Sequence, residues 1–286
     1  MRYGLPYMGS KSRICDWLMD HLPPAKHFID LFAGGCAVTH AALASGHYEH
    51  VHANDIQRDV LDLFLRVAER GLDDSDWAPV TRDEFFLRAS SDALIRLVWS
   101  FGNKGDTYLY AREVEDIKLA AHAMLTAPPL VDRLAAYRRF VELLPNTFKL
   151  DQIEALQPLQ AINALFRIHS LTHSLTHSLT HSLTHSYLSY DEVEIPPDAT
   201  VYADPPYAGT AKYLNAMFDH ERFFDWLRHT PFPVYVSEYA MPYDFEVVAE
   251  TRLQCTLSRA TSNAVTERIF LHRRFYHSQV QPELFG

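Results

Sequence analysis

The residues from Val201 to Tyr207, V-Y-A-D-P-P-Y, bring a carboxylate, a stiff carbonyl and an aromatic ring into one short stretch. The apolar start is typical of a buried strand, and Asp204 then lies at its carboxyl end, where open α/β sheets bind ligands. Pro205 and Pro206 fix φ, so their carbonyls point in set directions. This group suits a planar ring that carries an exocyclic amine. The local alternative is an ordinary Pro-Pro loop in which Asp204 caps its own turn.

A glycine turn between a predicted strand and a predicted helix is the second stretch that suits a ligand. The strand covers 28–32, the turn is Ala33-Gly34-Gly35, and the helix covers 38–44. This unit opens nucleotide-binding α/β sheets, because residues without Cβ let a ligand lie against the main chain. Cys36 interrupts the full G-x-G-x-x-G pattern, which favours a cofactor without phosphates over a dinucleotide.

An acid follows the next predicted strand, which covers 51–53. Asp55 comes about 20 residues after the glycines, where an acid can bind ribose hydroxyls. The alternative is that Asp55 caps the following helix, whose apolar face runs through 60–68. The two roles are compatible, and the preceding glycine turn favours the ribose role.

The amino-terminal segment Tyr7-Met8-Gly9-Ser10-Lys11 precedes an amphipathic helix that Pro23 and Pro24 would end. Ser10 is a candidate N-cap for this helix. Gly9 would allow a close approach of the backbone to a ligand, and Lys11 would supply a cation. The alternative is a capped helix followed by a solvent-exposed lysine.

Between Gly71 and Pro197 the alternation of strands and helices is lost. A glycine-rich turn at 101–106 and two helical stretches, which Pro128-Pro129 separate, indicate a mostly helical insertion. Arg133, Arg138 and Arg139 lie on another face of the second helix, where they would either contact a substrate or form a solvated helix face. An insertion of this kind is where a substrate-recognition domain would lie.

A tandem repeat, H-S-L-T four times followed by H-S, occupies 169–186. In a helix, a four-residue period drifts by about 40° per repeat, so no straight apolar stripe results. In a strand, Leu and His would share one face, and Ser and Thr the other. We interpret the repeat as an expanded DNA tract that a peripheral part of the insertion tolerates. Metal binding by its histidines is a minor alternative, because no carboxylate or cysteine is interleaved.

After residue 198 the α/β pattern resumes. It predicts a helix over 218–227, a strand over 234–237, and a late antiparallel pair from 251–257 and 267–272. Arg268, His272, Arg273, Arg274 and His277 then form the clearest basic segment, a candidate surface for phosphates.

The length and composition of the chain limit which kinds of protein it can be. With 286 residues and 48% hydrophobic residues the chain can bury one large domain or a domain with a smaller insertion. A net charge of −10 counts against a broad nucleic-acid-binding surface, although a local basic cleft is compatible with it. Three widely spaced cysteines argue against a disulfide framework or a zinc site. No signal peptide or long apolar run occurs, so we expect a cytoplasmic protein.

Four motifs stand in a fixed order: Y-M-G-S-K, D-L-F-A-G-G, A-N-D-I and, after the insertion, D-P-P-Y. This order and these words resemble the Dam-type (D12 class) DNA adenine N6-methyltransferases, including their short phage-borne members. The resemblance covers about 1–70 and 196–286, and weakly the stretch S-F-G-N-K-G-D-T-Y-L-Y. Two departures are G-G-C in place of a common G-G-G, and V-S-E-Y at 236–239 where an S-N-S-like motif is often found.

The resemblance implies a Rossmann-like α/β catalytic domain formed by 1–70 and 196–286, with a mostly helical target-recognition insertion at 71–195. It implies S-adenosylmethionine as the cofactor, no metal, and double-stranded DNA as the substrate, and it leaves open whether a cognate restriction endonuclease exists. The catalytic motif corresponds to Asp204, Pro205, Pro206 and Tyr207. The positions that match cofactor contacts are Tyr7, Lys11, Asp30, Phe32, Ala33, Gly34, Gly35, Asp55, Ile56 and Asp204.

Other functions leave more unexplained. Methylation of the cytosine N4 amine uses closely related chemistry and is the main alternative. A catalytically silent DNA-binding relative is another, although Asp55 and Asp204 are both present. Methylation at cytosine carbon 5 is disfavoured because it needs a cysteine that usually follows a proline, and no cysteine here does. A dinucleotide-dependent oxidoreductase would leave D-P-P-Y without a role.

Overall fold

A computed structural model describes residues 2–127, 130–144, 159–175, 182–207, 218–254 and 264–280. The chain divides into two compact units, each considered by itself below. The helical unit contains Met1–Arg13, Gly34–His40 and Gln57–His181, and the sheet unit contains Ile14–Ala33, Ala41–Ile56 and Ser182–Gly286.

In the described residues, the sheet unit contains a seven-stranded sheet in the order β3-β2-β1-β4-β5-β7-β6. Its strands are β1 His27–Asp30, β2 His50–Asn54, β3 Leu183–Ser186, β4 Ala199–Ala203, β5 Val234–Glu238, β6 Phe245–Gln254 and β7 Ala264–His272. Neighbours from β3 to β5 are parallel, and β7 pairs antiparallel with both β5 and β6. The α/β prediction is thereby confirmed: the fold is a Rossmann-like, mostly parallel sheet. Residues 255–257 of the predicted late strand lie outside the described residues.

The central strands form because their apolar runs are buried along their whole length. All five residues of β5 are buried, and so are the last four of β4, as expected for parallel strands covered on both faces. The core of this unit is a cluster of buried apolar residues: Ile29, Leu31, Tyr190, Val201, Ala203, Phe223, Leu227, Val234, Val236, Phe245 and Phe270.

Helices of the sheet unit flank these strands. They are α1 Cys15–His21, the later part of α2 Ala37–Ser45, α9 His220–His229 and α10 Arg273–Val280. Asp219 caps α9 by accepting a hydrogen bond from the Arg222 amide at 3.0 Å. The prediction that Ser10 caps the first helix is wrong. The helix begins at Cys15 with Ile14 as its N-cap residue, and the Ser10 hydroxyl instead accepts from the Ser12 amide.

The helical unit contains six α-helices in the described part of the chain: α3 Arg58–Arg70, α4 Arg82–Arg88, α5 Ala93–Val98, α6 Glu115–Thr126, α7 Leu130–Leu143 and α8 Gln160–Ser174. The predicted apolar face of α3 is confirmed, since Val60, Leu61, Phe64, Val67 and Ala68 are all buried. The predicted glycine-rich turn is a loop that a β-bridge between Ser100 and Tyr108 closes. No helix in the described ranges is long and apolar enough to cross a membrane.

At its first described end the repeat is not peripheral, so that part of the interpretation is wrong, whereas its origin as an expanded DNA tract stays a prediction. Its first residues continue α8, where Leu171 and Leu175 are buried and the Thr172 hydroxyl donates to the Val67 carbonyl. Its last residues form β3. Residues 176–181 of the repeat lie outside the described residues.

The β3 end shows the face pattern that a strand predicts. His52 on β2 bonds through Nδ1 to the Thr184 hydroxyl at 2.9 Å and through Nε2 to the Ser186 hydroxyl at 2.8 Å. Thr and Ser of the repeat therefore lie on the same face and contact the neighbouring strand, because alternate residues of a strand share a face.

A buried histidine ties the helical unit together. His40 Nδ1 accepts from the Gly4 amide at 3.2 Å, which leaves the proton on Nε2, 3.1 Å from the hydroxyl of Ser174 in the repeat. Burial lowers the pKa of His40 to about 4. It does the same for His122, whose Nε2 donates to the Trp77 carbonyl. Both side chains are therefore neutral near pH 7.

We expect His40 to make stability fall in mild acid. The neutral ring is favoured in the folded chain, so its contribution is complete above the ordinary pKa of 6.5 and is lost as pH falls toward about 4. Each unit of pKa shift corresponds to about 1.4 kcal/mol, which makes the loss about 3 kcal/mol. Urea unfolding at several pH values checks this. His40→Gln should flatten the slope between pH 6.5 and 4, whereas the exposed His47→Gln should not; equal slopes in both variants would contradict it.

The basic carboxyl-terminal segment is already paired with acids of its own sheet. Arg268 lies 3.2 Å from Glu250, and Arg273 lies 2.8 Å from Glu246. These ion pairs compensate much of the positive charge and count against this segment as the main phosphate-binding surface. The side chain of His277 lies outside the described residues.

Candidate active site

The D-P-P-Y residues follow β4 directly at the carboxyl edge of the sheet. Asp30, the last residue of β1, is in register with Ala53 on β2 and with Tyr202 on β4. Two residues beyond these partners stand Asp55 and Asp204, on either side of β1. Their backbones are about 10 Å apart if the strand spacing continues past the strand ends.

This edge is also the switch point of the sheet. The chain leaves β1 for β2 on one side, and β4 lies on the other side, so the crevice beyond β1 and β4 is where such sheets bind ligands. The structure therefore brings Asp30, Asp55 and Asp204 to the ends of three neighbouring strands. The sequence predicted this position for Asp55 and Asp204, but it placed Asp30 in the middle of the predicted strand 28–32.

The Pro-Pro turn is held by contacts on both sides, one before Asp204 and one at Pro206. Tyr202, one residue before Ala203, is fully buried and its hydroxyl lies 2.7 Å from the Ser237 hydroxyl. His220 Nε2 donates to the Pro206 carbonyl at 2.8 Å. Because the Pro206 carbonyl is taken, the Pro205 carbonyl is the candidate acceptor next to Asp204.

Tyr207 is held by contacts that the sequence did not reveal. Its hydroxyl donates to Glu267 Oε2 at 2.8 Å, and its ring meets the Tyr239 ring edge to face at 4.5 Å between centroids. Burial, with added effect from the Asp204 and Glu267 carboxylates, raises the pKa of Tyr207 well above its usual range. The hydroxyl therefore keeps its proton and remains a donor.

Asp55 and Ile56 follow β2, and Asn54 anchors the chain just before them. Asn54 is buried and uses both ends of its amide: Nδ2 donates to the carbonyls of Leu31 and Leu188, and Oδ1 accepts from the Ser186 hydroxyl and the Leu188 amide. Asp55 is partly buried, whereas Ile56 is 76% exposed. A carboxylate beside an exposed apolar side chain suits a nucleoside, with its ribose on the acid and its base on the apolar group.

Asp30, Phe32 and Ala33 end β1 and begin the glycine turn. Asp30 is buried, and the Ala33 amide donates to the Asn54 carbonyl at 2.9 Å. The Phe32 ring packs against an aromatic cluster, within 6 Å of the rings of Tyr190, Phe218 and Phe223. Phe32 thus supports the core, and its contact with a cofactor stays a prediction.

Tyr7, Gly34 and Gly35 contact one another in the helical unit. A Cβ atom on Gly35 would lie 2.5 Å from Tyr7 Cβ, and one on Gly34 would lie 3.1 Å from the Tyr7 ring. The Tyr7 hydroxyl donates to Gln57 Oε1 at 3.2 Å. The two glycines therefore make room for the Tyr7 side chain, which packs directly against them. Gly34 and Cys36 both have positive φ, near +48° and +57°.

Lys11 is 7% exposed, so it is not the solvent lysine of the simpler interpretation. Its role in binding a cofactor stays a prediction.

Asn54, Glu267 and Tyr239 are the residues of this region that sequence reasoning missed. Asn54 stands inside the A-N-D-I motif but was not assigned a role, and a polar residue at the end of an apolar strand was the available signal. Glu267 is 60 positions from Tyr207, and no local pattern connects the two. In the described ranges no group of three or more His, Cys, Asp or Glu is arranged to hold a metal ion.

Comparison with known families agrees with this geometry. Residues 7–230 match the family model described as D12 class N6 adenine-specific DNA methyltransferase. No curated protein sequence matches the chain significantly. The family match spans most of the chain and includes every residue of the candidate site that the sequence predicted. The chain therefore belongs to the D12 class N6 adenine-specific DNA methyltransferases and is a DNA methyltransferase.

Proposed function

We propose that this methyltransferase modifies adenine within one short word of duplex DNA, and that Asp204, Pro205, Pro206 and Tyr207 form its catalytic motif. The arrangement of Asp55 and Asp204 supports this most directly. The two acids stand at equivalent positions beyond β2 and β4, with the ligand-binding switch point of the sheet between them.

The residues present fit S-adenosylmethionine. Asp55 would accept hydrogen bonds from the ribose hydroxyls, and the exposed Ile56 would pack on the adenine ring. When bound, S-adenosylmethionine supplies an electrophilic methyl group. The proposed cofactor contacts of Tyr7 and Lys11 rest on the resemblance alone.

Asp55→Asn should weaken S-adenosylmethionine binding about 10- to 100-fold, because hydrogen bonds to a charged group contribute about 1.5–3 kcal/mol. Calorimetric titration of the cofactor measures the change. Glu49→Gln, an exposed acid at the amino end of the same strand, is the matched control and should bind normally. Equal affinities of the two variants would rule out the ribose role of Asp55.

Asp204 and the Pro205 carbonyl would hold the amine during transfer. The N6 lone pair of adenine is shared with the ring, so the amine is a poor nucleophile. Accepting its two hydrogens would orient the nitrogen toward the methyl group and favour its pyramidal form, a contribution of positioning and electrostatics. The nitrogen would gain the methyl group as the bond between that methyl group and the sulfonium sulfur breaks, and it would then release one proton to water. Tyr207 would stack on the base.

The base must leave the helix for this to happen. Inside a duplex the N6 amine cannot reach Asp204, so we infer that the target nucleotide is flipped out, at a cost of a few kcal/mol. Recognition of the word would fall to the insertion at 71–195. Its α7 arginines are not all available for DNA, since Arg133 donates to the Ala127 carbonyl and Arg139 lies near Glu142.

The test is methylation mapping at single-base resolution of DNA from a methylation-deficient host that expresses the chain, with an Asp204→Ala chain as the control. Methyl-adenine in one short word, absent with Asp204→Ala, is the expected result and supplies the recognised sequence. Cytosine methylated on its amino nitrogen would agree with the proposed mechanism but would show that the target base is cytosine and not adenine. No new mark from protein that binds S-adenosylmethionine would overturn the proposed activity on duplex DNA and favour a silent relative.

A further inference from the structure

The last residue of the proposed catalytic motif, Tyr207, forms a cluster with two other side chains, Tyr239 and Glu267. Tyr207 contacts both of the others, through its hydroxyl to Glu267 and through its ring to Tyr239, at an interplanar angle of 86°. Glu267 lies in none of the family motifs, Tyr239 lies where the S-N-S-like motif is often found, and both lie beyond the residues that the family model matches.

The position of Glu267 follows from strand register. β7 runs antiparallel to β5, with Glu238 opposite Arg268. Continuing this register by one residue brings Glu267 opposite Tyr239, at the carboxyl end of β5. A strand from the antiparallel part of the sheet thereby delivers a carboxylate to the edge where the parallel strands end.

Burial of Glu267 needs an explanation. The residue is only 7% exposed, and an ionised carboxylate is costly to bury unless it accepts strong hydrogen bonds. The Tyr207 hydroxyl supplies one, and bonds to an ionised acceptor are about twice as strong as neutral ones. The contact therefore fixes the far end of the Tyr207 ring, while the chain fixes its near end after Pro206.

Tyr239 is equally well held. Its amide donates to Glu238 Oε1 at 2.8 Å, and its carbonyl accepts from Arg268 Nη1 at 2.7 Å. The Tyr207 ring thus meets, in a T-shaped contact, a ring whose backbone is anchored on both sides. This leaves the orientation of the Tyr207 ring set by two independent contacts.

We propose that Glu267 is a positioning residue for methyl transfer: it holds the Tyr207 hydroxyl so that the ring presents its face to the flipped base. The inference rests on the proposed function, in which Tyr207 stacks on the target. Its consequence is that the effects on the rate of changing the Tyr207 hydroxyl and the Glu267 carboxylate should not be additive.

A double-mutant cycle with Tyr207→Phe and Glu267→Leu tests this on the full chain. Each single change should lower the rate of methyl transfer roughly 10- to 100-fold, the effect of losing a hydrogen bond to a charged group. The double variant should be no slower than the slower single one. Glu267→Gln keeps an acceptor and should recover most of the loss. The affinity for S-adenosylmethionine should stay close to the parent's, and Tm should fall only by the few degrees that one lost buried hydrogen bond costs.

Glu246→Leu is the matched control, because it removes a partly exposed acid from the same antiparallel pair, where its partner is Arg273 and not a residue that contacts Tyr207 or Tyr239. Glu267→Leu as active as Glu246→Leu would overturn the inference, and so would losses that multiply in the double variant. A fall in Tm or cofactor affinity that matches the fall in rate would assign Glu267 a structural role instead. If Glu267→Leu does not fold, Tyr207→Phe against Glu267→Gln decides, with only the former impaired. An inactive parent chain would instead overturn the proposed function, and this inference with it.

Discussion

Asp204→Ala should reduce methyl transfer by roughly 10³-fold or more while the chain stays folded and retains part of its cofactor binding. Removing one preorganised electrostatic group from an active site commonly costs 10²–10³ in rate, and Asp204 also positions the nucleophile. Its side chain follows β4 and is only partly buried, so the strand itself does not depend on it. Single-turnover transfer of a labelled methyl group to duplex DNA measures the rate.

Asp198→Ala is the matched control for this prediction. Asp198 directly precedes β4, as Asp204 directly follows it, and its exposed carboxylate pairs with His27 at 2.9 Å. It should transfer methyl groups at the parent rate. Asp204→Asn keeps one acceptor oxygen but loses the charge, so its rate should lie between those of the parent and Asp204→Ala. Transfer by Asp204→Ala at near the parent rate would show that the amine is held by other groups.

Gly4→Ala should destabilise the chain by about 3 kcal/mol or more, the size of effect that marks severe overpacking. A Cβ atom here would lie 2.5 Å from the Gly35 carbonyl oxygen and 2.6 Å from the Ala37 backbone, and no flexible side chain is there to move aside. The residue also has φ near +64°, a conformation that costs L-residues about 1–2 kcal/mol. Urea unfolding gives the change in the free energy of unfolding.

Gly46→Ala separates the cost of the steric clash from the cost of the positive φ. Gly46 ends α2 with φ near +71°, yet a Cβ atom there would meet nothing within 4 Å. It should therefore show only the conformational cost, about 1 kcal/mol. The difference between the two variants measures how tightly the amino-terminal segment packs on the glycine turn. Equal losses would mean that Gly35 and Ala37 move aside freely.

Local sequence patterns were sufficient to predict the strands that carry the site. β1, β4 and β5 are short, largely apolar runs followed by or ending in polar residues or glycine, and a strand that is buried on both faces can be predicted from such a run alone. The same holds for α3, whose apolar face repeats at helical spacing. The positions of Asp55 and Asp204 follow, because each is the first or second residue after a predicted strand.

Contacts between distant parts of the chain could not be predicted in this way. The acid that binds Tyr207 comes from β7, and the hydroxyl that binds Asn54 comes from β3. Strand β3 itself was missed because Leu-Thr-His-Ser has the same composition as the helical end of the repeat. Neighbouring residues decide the outcome there: Val67 and His40 bind the first copies, and His52 binds the last.

The repeat has one further consequence, which concerns changes in its copy number. Thr172 and Ser174 anchor its first part in the helical unit, and Thr184 and Ser186 anchor its last part beside β2. Because every copy is H-S-L-T, the gain or loss of a whole copy keeps the reading frame and presents the same residue types at both anchors. Only the length of the chain between them changes. The tract can therefore lengthen or shorten during DNA replication without altering the sequence that supports Asn54 and Asp55.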